Sequence, residues 1–369
     1  MTIDSVALVS PYALSVHGGV QEQVLALSRT LSARGKKVLV VAPDGDDRRD
    51  YDTPAEVVRL GRRRQLAANG SRAPLTLSLR ASAAAREVVR QFSPDVVHLH
   101  EPFAPVMGWG TLWAHQFPTV VTFHRGGSGP ALRLGGPLVR RWAKGVDGAV
   151  AVSVTAQRTA RRAYGIDGDV LFNAIESERF VQWPRERCAQ PRLLYVGRLE
   201  ERKGVETLVA AVRAHNSRGP TPWHLVVAGD GPRRDAIAAV VRGDENFTLL
   251  GAVDDATKRK WLRRADVFVA PSTHGESFGL VLLEAMASET LVVASDIDGY
   301  RDAAGGHAVL FRAGDPESLE RAVVSALDGE RDRVLSSARA YADQWSMARL
   351  VDEYEVRYAR AIQRFATTR

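Results

Sequence analysis

The segment Val267–Ser295, VFVAPSTHGESFGLVLLEAMASETLVVAS, contains two apolar, β-branched runs with a helical pattern between them. The runs VFVAP and TLVVAS have the continuous apolar character of parallel strands that are buried on both faces. Between them, the loop STHGESFG leads into a largely apolar helix that starts near residues 277–279. The segment therefore predicts a strand–helix–strand unit with one carboxylate, Glu276, before the helix and another, Glu284, within it.

The same alternation continues along all 369 residues. The first half offers the strands SVALVS, KVLVVAP, DVVHLH, TVVTFH and GAVAVS, and the second half offers RLLYVG, WHLVVAG, FTLLG, VFVAP and TLVVAS. Helical patterns such as VQEQVLALSRTLSARG, VETLVAAVRAH and PESLERAVVSAL lie between strands. Repeated strand–helix–strand units predict a doubly wound α/β fold. Two sets of about five strands, in a chain too long for one ordinary core, predict two Rossmann-like domains.

We expect the first domain at residues 1–170 and the second at residues 171–344, because GDVLFNAIESERF leaves the last strand of the first set. The closing segment, residues 345–369, has the pattern of a long helix with no strand after it. In open α/β sheets, ligands bind beyond the carboxyl ends of the strands. Two facing domains of this class predict a ligand held in the cleft between them.

Composition is typical of a globular cytoplasmic protein. Hydrophobic residues make up 45% of the chain and charged residues 25%, as in ordinary folded domains. The lone cysteine, Cys188, excludes an internal disulfide and fits a reducing compartment. The N-terminus has no signal-peptide pattern, and no apolar run approaches the roughly 18–20 residues that span a bilayer. We expect a cytoplasmic protein that is at most peripheral on the inner face of the cell membrane.

The net charge of +7 is concentrated in the first half of the chain. Residues 1–169 hold 22 basic and 14 acidic side chains, whereas the remainder holds 28 basic and 29 acidic ones. This asymmetry favours an anionic partner for the first domain: a phospholipid surface, an acidic acceptor or, less readily, nucleic acid. A generally arginine-rich composition explains it equally well.

Three strand–loop–helix crossovers carry candidate binding residues. After SVALVS, Gly18 and Gly19 lead into a helix whose first amides suit an anion, although a plain turn has the same pattern. After RLLYVG, Arg198 and Lys203 suit a departing diphosphate, although surface cations are often merely solvated. After VFVAPS, amides at the start of a helix suit a phosphate, namely those of Phe278, Gly279 and Leu280.

Glu276 and Glu284 lie eight residues apart, which is about 12 Å along a helix. A nucleotide sugar has a comparable extent. One carboxylate can hold sugar hydroxyls, the amides can hold the diphosphate, and the second carboxylate can hold the ribose diol. Two glutamates at a helix rim are the simpler alternative, but Glu284 is flanked by Leu283 and Ala285 in an apolar helix.

The E-x7-E pattern in GESFGLVLLE, together with GRLEERKG, the opening SPY…GGVQ and TFH, resembles family 4 of the retaining glycosyltransferases, which have the GT-B fold. The resemblance covers nearly the full length of the chain. HLHEP, VDDATK and VVASDID also resemble the phosphatidylinositol mannosyltransferases of actinobacteria. The resemblance implies that the final helix crosses back onto the first domain, which would be the acceptor and membrane side. The second domain would then bind the nucleotide sugar.

This resemblance also implies roles for individual residues. Gly19 and Gln21 would flank the reaction centre, Arg198 and Lys203 would bind the diphosphate, Glu276 and His124 the mannose, and Glu284 the ribose. Asp255 would accept guanine N–H groups, with Val253 and Lys258 nearby. Guanine offers paired donors where uracil offers one, which favours GDP over UDP. The acceptor-side candidates are Tyr12, Gln21, Asn69 and Arg125.

The acceptor side departs from those relatives, which carry a strongly basic amphipathic helix. Here SLRASAAAREVVRQF keeps only Arg80, Arg86 and Arg90, diluted with alanine. After TFH, the stretch RGGSGPALRLGG stands in place of a polar loop with a lysine, so that Arg125 is the nearest cation. The arginines at 62–64, or LVRRWAK at 138–144 with its tryptophan, would compensate at a membrane interface.

Other chemistries are disfavoured. His98 and His100 share a strand face but lack a third metal ligand, so a structural strand end is the favoured interpretation. The acids of SDID (295–298) mimic a metal-binding motif that belongs to a different transferase fold. GDGPRR (229–234) lacks the third glycine and the ribose-binding acid of a dinucleotide site, which disfavours NAD. The sequence has no Ser-His-Asp or nucleophilic cysteine pattern.

The sequence therefore predicts a retaining hexosyl transfer that needs neither a cofactor nor an essential divalent metal. The donor would be GDP-mannose and the acceptor a lipid such as phosphatidylinositol at the cytoplasmic membrane face; nucleic acid is not an expected partner. A family 4 enzyme with another nucleotide-sugar donor, or with a soluble or different lipid acceptor, is the first alternative. A non-catalytic protein that binds sugar nucleotides is the second.

Overall fold

The computed structural model describes residues 2–16, 18–45, 51–68, 71–124, 143–186, 189–219, 221–276 and 278–368. The chain divides into two units, Met1–Ala174 together with Met347–Arg369, and Ile175–Ser346. The first division lies four residues after the expected boundary at 170/171 and the second lies two residues after the expected boundary at 344/345. The closing helix belongs to the first unit.

A parallel sheet forms the centre of the first unit. The described strands of this unit are β1 (Ser5–Val9), β2 (Lys37–Asp44), β3 (Glu56–Arg62), β4 (Arg64–Ala68), β5 (Ser71–Leu75), β6 (Val96–His100), β7 (Thr119–Phe123), β8 (Gly148–Ala151) and β9 (Asp169–Val170). Its described helices are α1 (Gly19–Ala33), α2 (Leu79–Phe92), α3 (Trp109–Ala114) and α4 (Val154–Tyr164), with a 3₁₀ turn at Ala143–Gly145. Seven strands pair in parallel in the order β3-β2-β1-β6-β7-β8-β9, and β4 and β5 form a separate antiparallel pair.

The second unit repeats this architecture. Its described strands are β10 (Arg192–Val196), β11 (His224–Ala228), β12 (Phe247–Gly251), β13 (Val267–Ala270), β14 (Leu291–Ser295) and β15 (Val309–Phe311). Its described helices are α5 (Val205–Arg218), α6 (Arg234–Val240), α7 (Asp255–Arg264), α8 (Leu280–Ala287), α9 (Asp298–Ala304), α10 (Pro316–Asp328) and α11 (Arg331–Asp343), with 3₁₀ turns at Ser177–Val181 and Glu201–Lys203. The strands pair in parallel in the order β12-β11-β10-β13-β14-β15. The last helix, α12 (Met347–Thr368), returns to the first unit.

Burial on both faces of each sheet explains the continuous apolar runs. In β1, Val6 and Leu8 belong to one hydrophobic cluster, whereas Ala7 and Val9 belong to another on the opposite face. The strand β10 alternates between two clusters in the same way. All ten strands expected from the sequence are present.

The helix α12 is anchored to the first sheet by buried polar groups. Tyr358 Oη lies 2.8 Å from His98 Nδ1, and Tyr354 Oη lies 3.0 Å from Thr122 Oγ1. His98 Nε2 is in turn 2.7 Å from Thr122 Oγ1. Burial raises the pKa of Tyr354 to about 12 and raises the pKa of Tyr358 well above its ordinary value, so both hydroxyls keep their protons at neutral pH. None of the described helices combines the length and the apolar character needed to cross a bilayer.

Acidification is expected to destabilise this unit. Burial lowers the pKa of His98 to about 3, below the value of about 6.5 expected in an unfolded chain. The folded state therefore holds His98 neutral, and stability is lost as the pH falls from about 6.5 towards the folded pKa. By pH 5.0 the loss from this imidazole alone is about 2 kcal/mol. Thermal unfolding at pH 7.5 and 5.0 measures it, and His98→Asn should show a smaller pH dependence; equal slopes for the two proteins would contradict the assignment.

Candidate active site

The order of strands reverses at one point in each sheet. In the second unit the chain runs outward from β10 to β12, then begins again beside β10 with β13 and continues to β15. In the first unit the reversal lies between β1 and β6. The crevice at such a switch point is the usual ligand site of an open α/β sheet. The loops that follow β1, β7, β10 and β13 carry most of the expected site residues.

Close backbone packing joins the loops of the second unit. Gly204, with φ of +66°, lies so near the loop after β13 that a Cβ on it would be 2.0 Å from the Pro271 carbonyl oxygen. Gly299, in α9, lies equally close to the same loop, where a Cβ would be 2.2 Å from the Glu276 carbonyl oxygen. Only glycine permits these approaches. The loops after β10, β13 and β14 therefore hold one another in place.

Side chains from these loops contact the Glu276 carboxylate. Its Oε1 accepts hydrogen bonds from Lys203 Nζ at 2.6 Å, Arg202 Nη1 at 3.1 Å and Ser272 Oγ at 3.1 Å. Ser272 Oγ also lies 2.9 Å from Tyr300 Oη. Within the part of the chain that the structure describes, Oε2 of Glu276 has no such contact. One carboxylate oxygen is thus fixed by protein donors, and the other remains able to accept a bond from a ligand.

Arg198 is not part of this cluster. Its side chain is 64% exposed, and its guanidinium pairs with Glu200 Oε1 at 3.0 Å. The second oxygen of Glu200 pairs with Arg202 Nε at 3.2 Å. Of the two cations expected at the diphosphate, the structure therefore places Lys203 beside Glu276, whereas Arg198 stands exposed on the same loop.

The start of α8 lies directly after this carboxylate. Gly279 immediately precedes the helix, and the ring of Tyr300 packs against it. Phe278 packs on Trp345 with ring centroids 4.8 Å apart. The first amides of an α-helix have no acceptor within the helix and attract anions. The backbone amides of Phe278, Gly279 and Leu280, which we expect to bind a phosphate, therefore lie at a helix N-terminus that aromatic packing holds in place.

A second carboxylate cluster contains the residues expected at the nucleoside. Lys258 Nζ lies 2.9 Å from Glu284 Oε1 and 3.1 Å from Asp255 Oδ1. The other oxygen of Asp255 pairs with Arg259, which is buried. Val253 precedes the N-cap of α7 by one residue. Both oxygens of Asp255 are thus in use, so a base that donates to this carboxylate would share it with Lys258 and Arg259.

The first unit places His124 at the carboxyl end of β7. The backbone N–H of His124 donates to Glu101 Oε1 at 2.5 Å, and its Nε2 lies 2.9 Å from His100 Nδ1. Burial lowers the pKa of His124 to about 4, which makes the imidazole neutral at pH 7. His124 can therefore act as a neutral hydrogen-bonding group rather than as a cation.

The remaining candidates of the first unit differ in their surroundings. Gly19 begins α1, and a Cβ on it would meet no atom within 4 Å. Gln21 is buried with its amide against Gly18. Tyr12 is also buried, in contact with Leu75. Asn69 and Arg125 lie outside the described residues, as does most of the stretch 138–144.

The two histidines of HLH, His98 and His100, form hydrogen-bond contacts with other side chains. His98 uses both ring nitrogens, for Tyr358 and Thr122, and His100 faces His124. Among the described residues, no group of three or more His, Cys, Asp or Glu side chains is placed to hold a metal ion.

Comparison with known proteins assigns the family. The model for glycosyltransferase family 4 matches residues 17–179, and that for glycosyl transferases group 1 matches residues 190–329. A phosphatidyl-myo-inositol mannosyltransferase from Propionibacterium freudenreichii subsp. shermanii is 32% identical, over 99% of this chain and 97% of the relative. One from Mycobacterium leprae is 35% identical, over 90% of each chain. This chain belongs to glycosyltransferase family 4.

The fold of this family 4 glycosyltransferase agrees with that assignment. A crystal structure of a glycosyltransferase from Rickettsia africae superposes with a TM-score of 0.75 at 16% identity, covering 98% of this chain and 99% of the other. Two parallel-sheet α/β units and neighbours of this kind confirm the predicted GT-B fold. The family models and relatives confirm that the chain is a glycosyltransferase.

Sequence reasoning missed several residues of this glycosyltransferase that support the site. Arg202 precedes Lys203 on the same 3₁₀ turn, and that adjacency was a usable signal. Ser272 lies four residues before Glu276 on the same loop, which was also a usable signal. Tyr300 has no local signal, because it meets Ser272 only through the pairing of β13 with β14. Glu101 follows β6, and its place directly after the strand marked it as a candidate.

Proposed function

We propose that this glycosyltransferase moves mannose from GDP-mannose to phosphatidyl-myo-inositol with retention of the anomeric configuration. The observation that carries the proposal is the Glu276 cluster with its two cationic donors, at the switch point of a chain whose relatives at 32–35% identity bear that name. A carboxylate with one oxygen fixed and the other available suits the hydroxyls of a hexose. The cation beside it suits the phosphate that leaves.

The chemistry follows from these groups. The bond between C1 of the mannose and the diphosphate oxygen breaks, and the acceptor hydroxyl forms a new C1–O bond on the same face. The acceptor's proton passes to the departing diphosphate. Lys203, Arg198 and the first amides of α8 stabilise the charge that develops on the diphosphate. These cations supply the role that a divalent metal has elsewhere, so we expect transfer to persist in a chelator.

Exposed residues in α2 and just before it favour a lipid as the acceptor. Leu79 is 65% exposed and Leu77, just before the helix, is 46% exposed. Arg80 and Arg86 are exposed on the same helix, whereas Arg90 pairs with Glu87 at 2.7 Å. Exposed apolar groups beside arginines suit the interface of an anionic membrane. We place the enzyme peripherally on the cytoplasmic face.

A vesicle experiment tests donor and acceptor together. Labelled GDP-mannose is supplied with vesicles of phosphatidylcholine alone, with added phosphatidylglycerol, or with added phosphatidylinositol. Incorporation of label only with phosphatidylinositol supports the proposal, since phosphatidylglycerol supplies the same charge without the inositol. Incorporation with every anionic vesicle, or with none while GDP still binds, overturns the acceptor and favours a different lipid or soluble acceptor. GDP-glucose and UDP-glucose in parallel test the donor.

Glu284→Gln tests the ribose contact. We expect GDP affinity to fall about tenfold, because a hydrogen bond to a charged group contributes about 1.5–3 kcal/mol. The variant should also lose its preference for GDP over 2′,3′-dideoxy-GDP, which isothermal titration measures. Glu289→Gln is a matched control, because Glu289 pairs with Arg263 outside this cluster. A full preference for GDP in the Glu284 variant would remove the assigned contact.

A further inference from the structure

Three imidazoles form a stack under the carboxyl edge of the first sheet. The ring centroids of His98 and His100 lie 4.3 Å apart with an interplanar angle of 27°, and those of His100 and His124 lie 5.2 Å apart at 25°. The first two point to one face of β6, and the third follows β7, the neighbouring strand. The last histidine of HLH therefore lies directly beside His124, the residue that we expect to contact the sugar.

Among the described residues, the middle ring of this stack has one hydrogen-bond partner. His100 Nδ1 lies 2.9 Å from His124 Nε2. His100 is only 3% exposed, and its Nε2 is buried without a hydrogen-bond partner among the described residues. Burial lowers the pKa of both rings, so that both are neutral at pH 7. In a hydrogen bond between these two neutral rings, one of the two facing nitrogens carries the proton and the other accepts it.

The direction of that hydrogen bond follows from the buried Nε2. If His124 donated, His100 would carry its own proton on Nε2, and a buried N–H would be left unpaired. If His100 donates, the unpaired atom is only a lone pair, and buried acceptors without partners are commoner than buried donors without partners. His124 Nε2 is then the acceptor, and the proton of His124 lies on Nδ1. Glu101 fixes the same residue from the backbone through its 2.5 Å bond.

We propose that His100 is a positioning residue that holds His124 as the Nδ1–H tautomer, with that N–H available to donate to an oxygen of the transferred sugar. The catalytic part rests on the proposed function; the tautomer does not. His100 itself touches no substrate, and it acts through His124 alone. This assigns His100, the second histidine of HLH, to the reaction, whereas His98 anchors α12 through Tyr358 and Thr122.

Transfer kinetics test the positioning. His100→Leu should lower kcat about 100-fold, as a misplaced group of this kind does, with little change in KM for GDP-mannose. His100→Asn places an amide N–H near the former Nδ1 and should recover most of the rate. His124→Ala and the double variant His100→Leu/His124→Ala should be equally slow. Additive losses in the double variant, or an Asn variant that is folded and as slow as Leu, would overturn the proposal.

The tautomer is measured independently of any transfer. In protein labelled with ¹⁵N-histidine, the His124 resonances are assigned by their loss in His124→Ala. Wild-type enzyme and His100→Asn should show a protonated Nδ1 and a bare Nε2, whereas His100→Leu should show a mixture. His98→Asn, which alters the neighbouring ring without touching His124, should leave the His124 signals unchanged. A wild-type His124 protonated on Nε2 refutes the proposal, even if no acceptor is ever found.

Discussion

Glu276→Gln should abolish transfer while leaving the nucleotide bound. We expect kcat to fall about 1,000-fold with GDP affinity unchanged within about threefold, because the substitution removes the charge of the carboxylate that we propose at the reaction centre but leaves its shape. The neutral amide also faces Lys203, which loses its carboxylate partner, and Arg202, which keeps its pair with Glu200. Single-turnover transfer and isothermal titration with GDP measure the two quantities.

The control for this variant is Glu289→Gln, which alters another carboxylate of the same unit that pairs with Arg263 at 2.6 Å. It should keep the wild-type rate. A Glu276 variant with normal turnover would remove this residue from the mechanism. A variant that no longer binds GDP would show that the carboxylate supports the fold of the loops rather than the chemistry.

Lys203→Met should give the second-largest loss. We expect kcat to fall about 100-fold, because the substitution removes the preorganised cation that we propose beside the departing phosphate. The variant should bind GDP more weakly but GMP as well as before, because only GDP places a second phosphate near the lost ammonium. Titration with both nucleotides measures this ratio.

Arg202→Met tests which of the two cations, Arg202 or Lys203, contacts the diphosphate. Arg202 bonds to the same oxygen of Glu276 at 3.1 Å and also pairs with Glu200. It is assigned to the carboxylate and not to the diphosphate, so the GDP-to-GMP affinity ratio should stay at its wild-type value. If Arg202→Met changes that ratio and Lys203→Met does not, the roles of the two residues are reversed.

Buried parallel strands were readable from the sequence, whereas three of the four edge strands of the two described parallel sheets, β3, β9 and β15, were not. Strands such as β1 and β13 are apolar throughout because both faces are covered. The edge strand β3 mixes exposed and half-buried residues and has no such run. The strands β9 and β15, with two and three residues, are too short to give a pattern.

The site was predictable where its residues follow buried strands in the chain. Lys203, Glu276 and Glu284 lie in strand–loop–helix crossovers, and the switch-point rule identifies those loops. The partners of these residues depend on pairings that no local pattern encodes. His98 and Tyr358 are 260 positions apart, and Ser272 meets Tyr300 only because β13 and β14 are neighbours. The sequence could name the charged groups but not the contacts that orient them.

The glycine contacts at Pro271 and Glu276 have a consequence for engineering. Since Gly204 and Gly299 each touch the backbone of the loop after β13, a replacement loop that carries any other residue at either position would collide with that backbone. A chimera made to alter donor choice should receive all three loops, those after β10, β13 and β14, as one block. We expect donor choice in such a chimera to change through the side chains of the block, on a loop backbone that stays as it is.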